Sequence, residues 1–225
     1  MEINLSSYSK KFFLFRKETN RLLLLSMAFS CCLCFARIVC TGRLSFVFLV
    51  WNLFLAMVPY FITELVEKNI LALKGWTVFL FFLGWLLFIP NSFYILTDLF
   101  HLNDHHKDHG IPAWFDLALI LSFAWNGLLL GMISFGKMQK ICCSYFPGVQ
   151  EFFFVYPVMW LNSLGIYIGR YLRFNSWDII TNPLGLSYDI GRMLVHPLFY
   201  RDGWGMIFCF SILMTLMYLT VKNES

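Results

Sequence analysis

The chain has 225 residues, 59% hydrophobic and 20% aromatic, with only 13% charged and a mean hydropathy of +0.68. A soluble domain of ordinary composition carries about a quarter charged residues, so water is not the main solvent of this chain. The formal charge of +4 is scattered between apolar runs and forms no basic stripe, which argues against nucleic acid as a partner.

Residues 1–21 form a basic flank carrying Lys10, Lys11, Arg16, Lys17 and Arg21, ahead of the apolar run Leu22 to Cys40. This flank resembles the start of a signal peptide, and Ala28-Phe29-Ser30-Cys31 resembles a weak lipoprotein cleavage site. The run continues past that point and no soluble domain follows, so it is expected to stay as a first helix. Further runs at Leu44–Thr63, Leu71–Ile89, Phe115–Phe135, Val149–Ile168 and Trp204–Thr220 each approach the roughly 20 residues that cross a bilayer at 1.5 Å per residue. The prediction is an all-α bundle of about six transmembrane helices, a single domain over residues 22–221 with a tail at 222–225. Cys31, Cys32 and Cys34 lie in an apolar run, no CxxC pair occurs, and the seven cysteines read as small apolar filler.

An even number of crossings puts both termini on one side, and lysine and arginine indicate which. With the N-terminus inside, the inner flanks collect Lys10, Lys11, Arg16, Lys17, Arg21, Lys68, Lys74, Lys137, Lys140 and Lys222. The outer side holds Arg43, Lys107, Arg170, Arg173, Arg192 and Arg201, most of them in the connection from Gly169 to Gly203. The inner connections, Glu64 to Lys68 and Lys137 to Gly148, read as solvated turns. Chemistry is expected on the outer side.

The third run ends in Pro90-Asn91-Ser92-Phe93-Tyr94-Ile95-Leu96-Thr97-Asp98-Leu99-Phe100-His101. Proline inside a helix removes one backbone bond and clashes with the carbonyl four residues back, here Leu86, so a kink or restart is expected at Pro90. Asn91, Tyr94, Asp98 and His101 follow at i, i+3, i+7 and i+10, one face of a restarted helix. A polar stripe at membrane depth must face protein or a water-filled cavity. It either lines an outward-facing site or makes interhelical hydrogen bonds that fix packing. Asp98, His101 and His105 share a helical face and would suit zinc or iron. Asn103, Asp104, Lys107, Asp108 and Gly110 instead point to a solvated turn before Pro112, so no metal is assigned.

In the second polar segment, Asn162 to Asp178, Gly165 and Gly169 stand four apart and allow another helix to approach closely. Arg170, Arg173 and Trp177 emerge on one face, where Trp177 suits the interface. Two outer arginines run against the positive-inside bias, and paired with Asp98, Asp116 or Asp178, or reaching a phosphate, they would serve binding. Residues Gly185 to Tyr200 are too short and polar to span. Leu186, Ile190, Met193, Leu194 and Leu198 oppose Asp189, Arg192 and His196, as in an interfacial helix that is either a plain amphipathic connector, the reading favoured, or a roof over the other segments. Asn126, between Trp125 and Gly127, should face the bundle interior.

Three motifs, Pro90 to Leu102, Trp114 to Leu117 and Gly165 to Asp178, occur in an order that resembles the bacterial membrane proteins of domain-of-unknown-function family 1361. The resemblance covers most of the chain after the first helices, with Ser92 and Phe93 in place of the alanine and proline common there. It implies a multi-pass topology in a bacterial cytoplasmic membrane and supplies no activity.

The candidate pocket is therefore Asn91, Tyr94, Asp98, His101, Asp116, Asn126, Arg170 and Arg173. Membrane lipids are the expected surroundings, and a lipid head group or small anion is the expected ligand of a binding or transport role. A membrane enzyme using Asp98 or His101 as base or metal ligand, and a purely structural protein, stay open as alternatives. HExxH, Walker-type loops and Ser-His-acid order do not occur, no cofactor motif is present, and Pro90 has no partner of the inverted-repeat kind.

Overall fold

The computed structural model describes the backbone of residues 5–102, 111–145 and 151–223, and the side chains of 18–102, 111–145 and 154–222. Among these residues there are eight α-helices and no strand. They are α1 (Leu5–Thr41), α2 (Phe48–Lys68), α3 (Gly75–Tyr94), α4 (Ala113–Tyr145), α5 (Glu151–Arg170), α6 (Asp178–Thr181), α7 (Pro183–Val195) and α8 (Arg201–Asn223). A 3-10 segment, Ile95–Leu102, continues directly from α3. Five stretches are long and apolar enough to cross a membrane: Glu18–Thr41, Phe48–Lys68, Gly75–Leu102, Ala113–Tyr145 and Arg201–Lys222. The 20-residue α5 packs between α3 and α8.

Successive long helices run antiparallel, and side-chain contacts mark the two ends. Tyr145 donates its hydroxyl to Ile70 O at 2.5 Å near the end where α2 and α4 finish. Arg170 meets Asp98 at the opposite end. Helix α4 is the axis of the bundle, because its buried residues face both major core clusters. On one side Phe135 and Met138 pack with Trp85 and Ile89 of α3, Met159 of α5 and Met214 of α8. On the other, Leu119, Ile120 and Phe123 pack with Leu49 and Leu53 of α2 and Cys34 of α1. Trp85 hangs from Ser134 by an Nε1–Oγ hydrogen bond of 2.8 Å, so the indole buries its apolar ring without orphaning its donor.

The helix does not restart at Pro90. Helix α3 runs through Pro90 to Tyr94, and the change to 3-10 geometry begins at Ile95. Proline is tolerated inside membrane helices when neighbours take up the freed backbone groups. The Ser176 hydroxyl donates to Leu87 O at 3.1 Å and Asn91 Nδ2 donates to Phe88 O at 3.0 Å, next to the Leu86 carbonyl that Pro90 leaves without its helical donor. The surrounding packing is close. A methyl at Gly165 of α5 would lie 2.5 Å from Pro90 Cγ, and one at Gly131 of α4 would lie 2.8 Å from the Phe93 ring. Gly165 and Gly169 thus form the small-residue stripe expected from their spacing, and Gly127 with Gly131 forms a second one.

Several boundaries differ from the expected ones. Helix α4 extends to Tyr145, ten residues beyond Phe135, so Lys137 is no loop residue. Its ammonium pairs with Glu64, lies 3.2 Å from Glu67 Oε2 and sits over the Tyr60 ring at 5.1 Å, a half-buried network between α2 and α4. Helix α7 has Asn182 as its N-cap, whose Oδ1 accepts from Gly185 N at 3.2 Å. Met193 is buried and Leu186 and Ile190 face inward, whereas Leu194 and Leu198 are exposed, so the apolar face is narrower than expected. All seven cysteines are free, with Cys34 and Cys142 buried in the core.

Candidate functional site

Asp98 sits in the 3-10 segment and is 1% exposed. Two partners from other helices face it. Asn52 of α2 donates Nδ2 to Oδ2 at 2.8 Å, and Arg170 Nη1, at the end of α5, lies 3.4 Å from Oδ1. The Arg170 guanidinium also lies 5.9 Å from the centre of the Tyr94 ring and 5.7 Å from that of Phe100, so aromatic faces and a carboxylate together fix its orientation. Residues three apart in a 3-10 helix eclipse one another, which puts His101 directly above Asp98. The imidazole packs edge-on against Phe48, with ring centres 5.3 Å apart.

Beyond Arg170 the chain turns back. Phe174 N donates to Ile168 O at 3.3 Å, and Arg173 at the turn has φ 61°. A non-glycine residue in the left-handed region is uncommon and costs about 1–3 kcal/mol, a strain that clusters at functional sites. This backbone places Arg173 beside Arg170 at the mouth of a 460 Å³ cavity that Tyr94, His101 and Asn175 also line. Asp98 lies behind Arg170, outside that lining. No described residue pairs with the exposed Arg173 side chain. Among the described residues, one carboxylate stands against the two guanidinium groups at this cavity.

A second cavity of 680 Å³ shares Tyr94, Gly169, Phe174 and Asn175 with the first. It runs as an apolar groove between α2, α3 and α5 under α6 and α7, lined by residues such as Leu55, Leu87, Pro90, Leu164 and Ile190. Asn91 holds its upper wall by donating Nδ2 to Ser176 Oγ at 2.9 Å.

Two of the eight residues expected in this pocket lie elsewhere. Asp116 pairs with Arg37 of α1, with Nε–Oδ1 2.7 Å and Nη2–Oδ2 3.2 Å, beneath the Phe46 ring. Asn126 donates Nδ2 to Ser30 Oγ of α1 at 3.0 Å and to Ser122 O at 2.9 Å. Both belong to the α1–α4 interface. Asp178, considered as an arginine partner, instead accepts from Asn175 N at 2.6 Å and from the Thr181 hydroxyl at 2.8 Å, bonds that hold its carboxyl below the usual carboxylate range. Tyr94, His101, Arg170 and Arg173 surround the cavity, with Asp98 behind them and Asn91 along the groove. Asn52 and Ser176 were not singled out by the sequence, although Asn52 stands alone as a polar residue between Trp51 and Leu53, the pattern that drew attention to Asn126. Among the described residues no group of three metal-ligating side chains occurs, and His105, the third member of the metal set, lies outside the described residues, as do Asp104 and Asp108.

A helical chain with five apolar spans belongs to the class of multi-span integral membrane proteins. Residues 51–219 match the family described as a protein of unknown function (DUF1361), and the chain belongs to that family. Comparison with curated proteins and with solved structures finds no match.

Proposed function

We propose that this protein binds an anion, a phosphate-type head group or a small free anion, between Arg170 and Arg173 at the outer face of a bacterial cytoplasmic membrane. In this reading α5 is a sixth crossing and both termini lie inside, as the inner excess of lysine and arginine suggests. The observation that carries it is one arginine held from behind by a buried Asp98 beside a second, exposed arginine on the same cavity that pairs with no described residue. A guanidinium held in place by carboxylate and ring contacts loses little freedom on meeting a planar or tetrahedral anion, and it can bind two oxygens at once.

The enzyme alternative keeps one supporting observation, His101 on the cavity wall. Asp98 suits it poorly as a base. Both of its oxygens are engaged, by Asn52 and Arg170.

The test is phosphorus NMR of inorganic phosphate added to the purified full chain in detergent. Line broadening in the wild type should fall by about tenfold in Arg173→Ala and in Arg170→Lys, since lysine does not reproduce a two-oxygen contact. Unchanged broadening in both variants, with folding intact, would overturn the reading.

A further inference from the structure

We propose that the ligand is a long-chain lipid with a phosphate-bearing head group, its chain in the apolar groove and its head group in the arginine cavity, a step that rests on the anion reading above. The two cavities share four wall residues, Tyr94, Gly169, Phe174 and Asn175, so they lie side by side, one an apolar groove and the other basic. That division of polarity is the one an anionic amphiphile has. A small water-soluble anion would fill only the 460 Å³ end and leave 680 Å³ of apolar groove unused. A neutral lipid would fill the groove and bring no counter-charge to Arg173.

The groove has a floor, two sides and a roof, and part of its lining is exposed on the outer surface of the bundle. Gly84, Leu87 and Pro90 of α3 make its floor, Trp51 and Leu55 of α2 and Leu161 and Leu164 of α5 its sides, and Ile179, Leu186 and Ile190 its roof. The Ser176 hydroxyl, bonded to Leu87 O and receiving Asn91 Nδ2, ties the start of that roof to α3. Within that lining Trp51, Leu83 and Leu161 are 54%, 45% and 41% exposed on the apolar outer surface of the bundle. A chain can enter there without leaving the hydrocarbon layer, and the head group then meets Arg170 at interface depth. Helix α7, with an apolar underside and Asp189 and Arg192 elsewhere on its surface, suits that depth as well.

Gly84 offers a way to fill the groove without disturbing the fold, because a Cβ built there meets nothing within 4 Å. Gly84→Leu blocks the floor, and Ile190→Trp blocks the roof from a helix that is not one of the long spans. The experiment is native mass spectrometry of the purified full chain titrated with dioleoyl and with dihexanoyl phosphatidic acid, alongside the inorganic phosphate measurement. The wild type should prefer the long chain by about tenfold or more, since each buried methylene adds favourable transfer free energy. Each groove variant should narrow that preference to within about threefold while leaving inorganic phosphate binding unchanged. The same preference in wild type and in the folded groove variants, or none in the wild type, would overturn the lipid assignment and leave the anion reading standing. If Gly84→Leu does not fold, Ile190→Trp decides alone. If Arg173→Ala and Arg170→Lys both leave phosphate and lipid binding unchanged, the anion reading itself fails, and the lipid assignment falls with it.

Discussion

Asp98 and Asp116 are both buried carboxylates facing an arginine, yet their surroundings differ. Asp116 receives Arg37 through two contacts of 2.7 and 3.2 Å, with side chains 8% and 1% exposed, and lines neither of the two cavities above. Removing one partner of such a pair leaves an uncompensated buried charge. Asp116→Asn should therefore cost about 3–5 kcal/mol, read as a lower thermal midpoint in detergent, with phosphate binding per folded molecule unchanged. The double variant Asp116→Leu with Arg37→Met should recover most of that loss, and a double-mutant cycle measures how much. Asp98 makes a longer contact, 3.4 Å, and its other oxygen is occupied by Asn52. Asp98→Asn should keep the protein folded and weaken phosphate binding, because Arg170 loses the charge that holds it. Folded yield and binding falling together would mark the pair as packing. Spacing in the sequence singled out Asp98, Arg170 and Arg173 and offered Asp98 as an arginine partner, but it did not pair Arg37 with Asp116 or Asn52 with Asp98. Arg37 and Asp116 are 79 positions apart, and Asn52 and Asp98 are 46, separations on which local periodicity carries no information.

Helix α3 shows what periodicity can and cannot say about an element. The polar stripe after Pro90 was legible because lipid cannot satisfy it. Of the kink or restart expected at Pro90, the helix assignment shows no restart there, and packing around the proline involves neighbours such as Ser176, 89 positions from Leu87. The same dependence predicts how glycines respond to substitution. Gly165→Ala would drive a methyl into Pro90 and should cost about 1–3 kcal/mol, whereas Gly84→Ala meets open space and should be neutral or stabilise by up to about 1 kcal/mol. Thermal unfolding of the two variants in detergent gives the comparison, and equal effects would contradict the packing described. The turn between α5 and α6 should respond to pH. The Asp178 carboxyl is lowered by bonds from Asn175 N and the Thr181 hydroxyl, so the turn is supported above the ordinary carboxylate range and loses that support as pH falls below it. Amide exchange at Asn175 should accelerate, relative to a reference peptide, on that acid side. Asp178→Asn should flatten the difference.

At the scale of the molecule, apolar run length located the helices, but several boundaries moved. Helix α4 continues past Phe135 because Lys137 is matched by Glu64 and Glu67, so a charge that reads as a turn from the sequence alone is a helical residue in the bundle. The topology proposal is testable with single cysteines in a background lacking the native ones. Asn175→Cys should react with an impermeant maleimide in intact cells, and Asn69→Cys only after permeabilisation. The reverse pattern would invert the protein.

The exposed lining of the groove at Trp51, Leu83 and Leu161 has a consequence for how occupancy is set. A ligand arriving there diffuses in two dimensions within one leaflet and is never free in water. Its effective concentration is then its mole fraction among neighbouring lipids, so saturation would follow leaflet composition and be insensitive to cell volume or medium. A site of modest intrinsic affinity would stay full wherever acidic lipid is abundant, and would empty where head-group chemistry shifts toward neutral species.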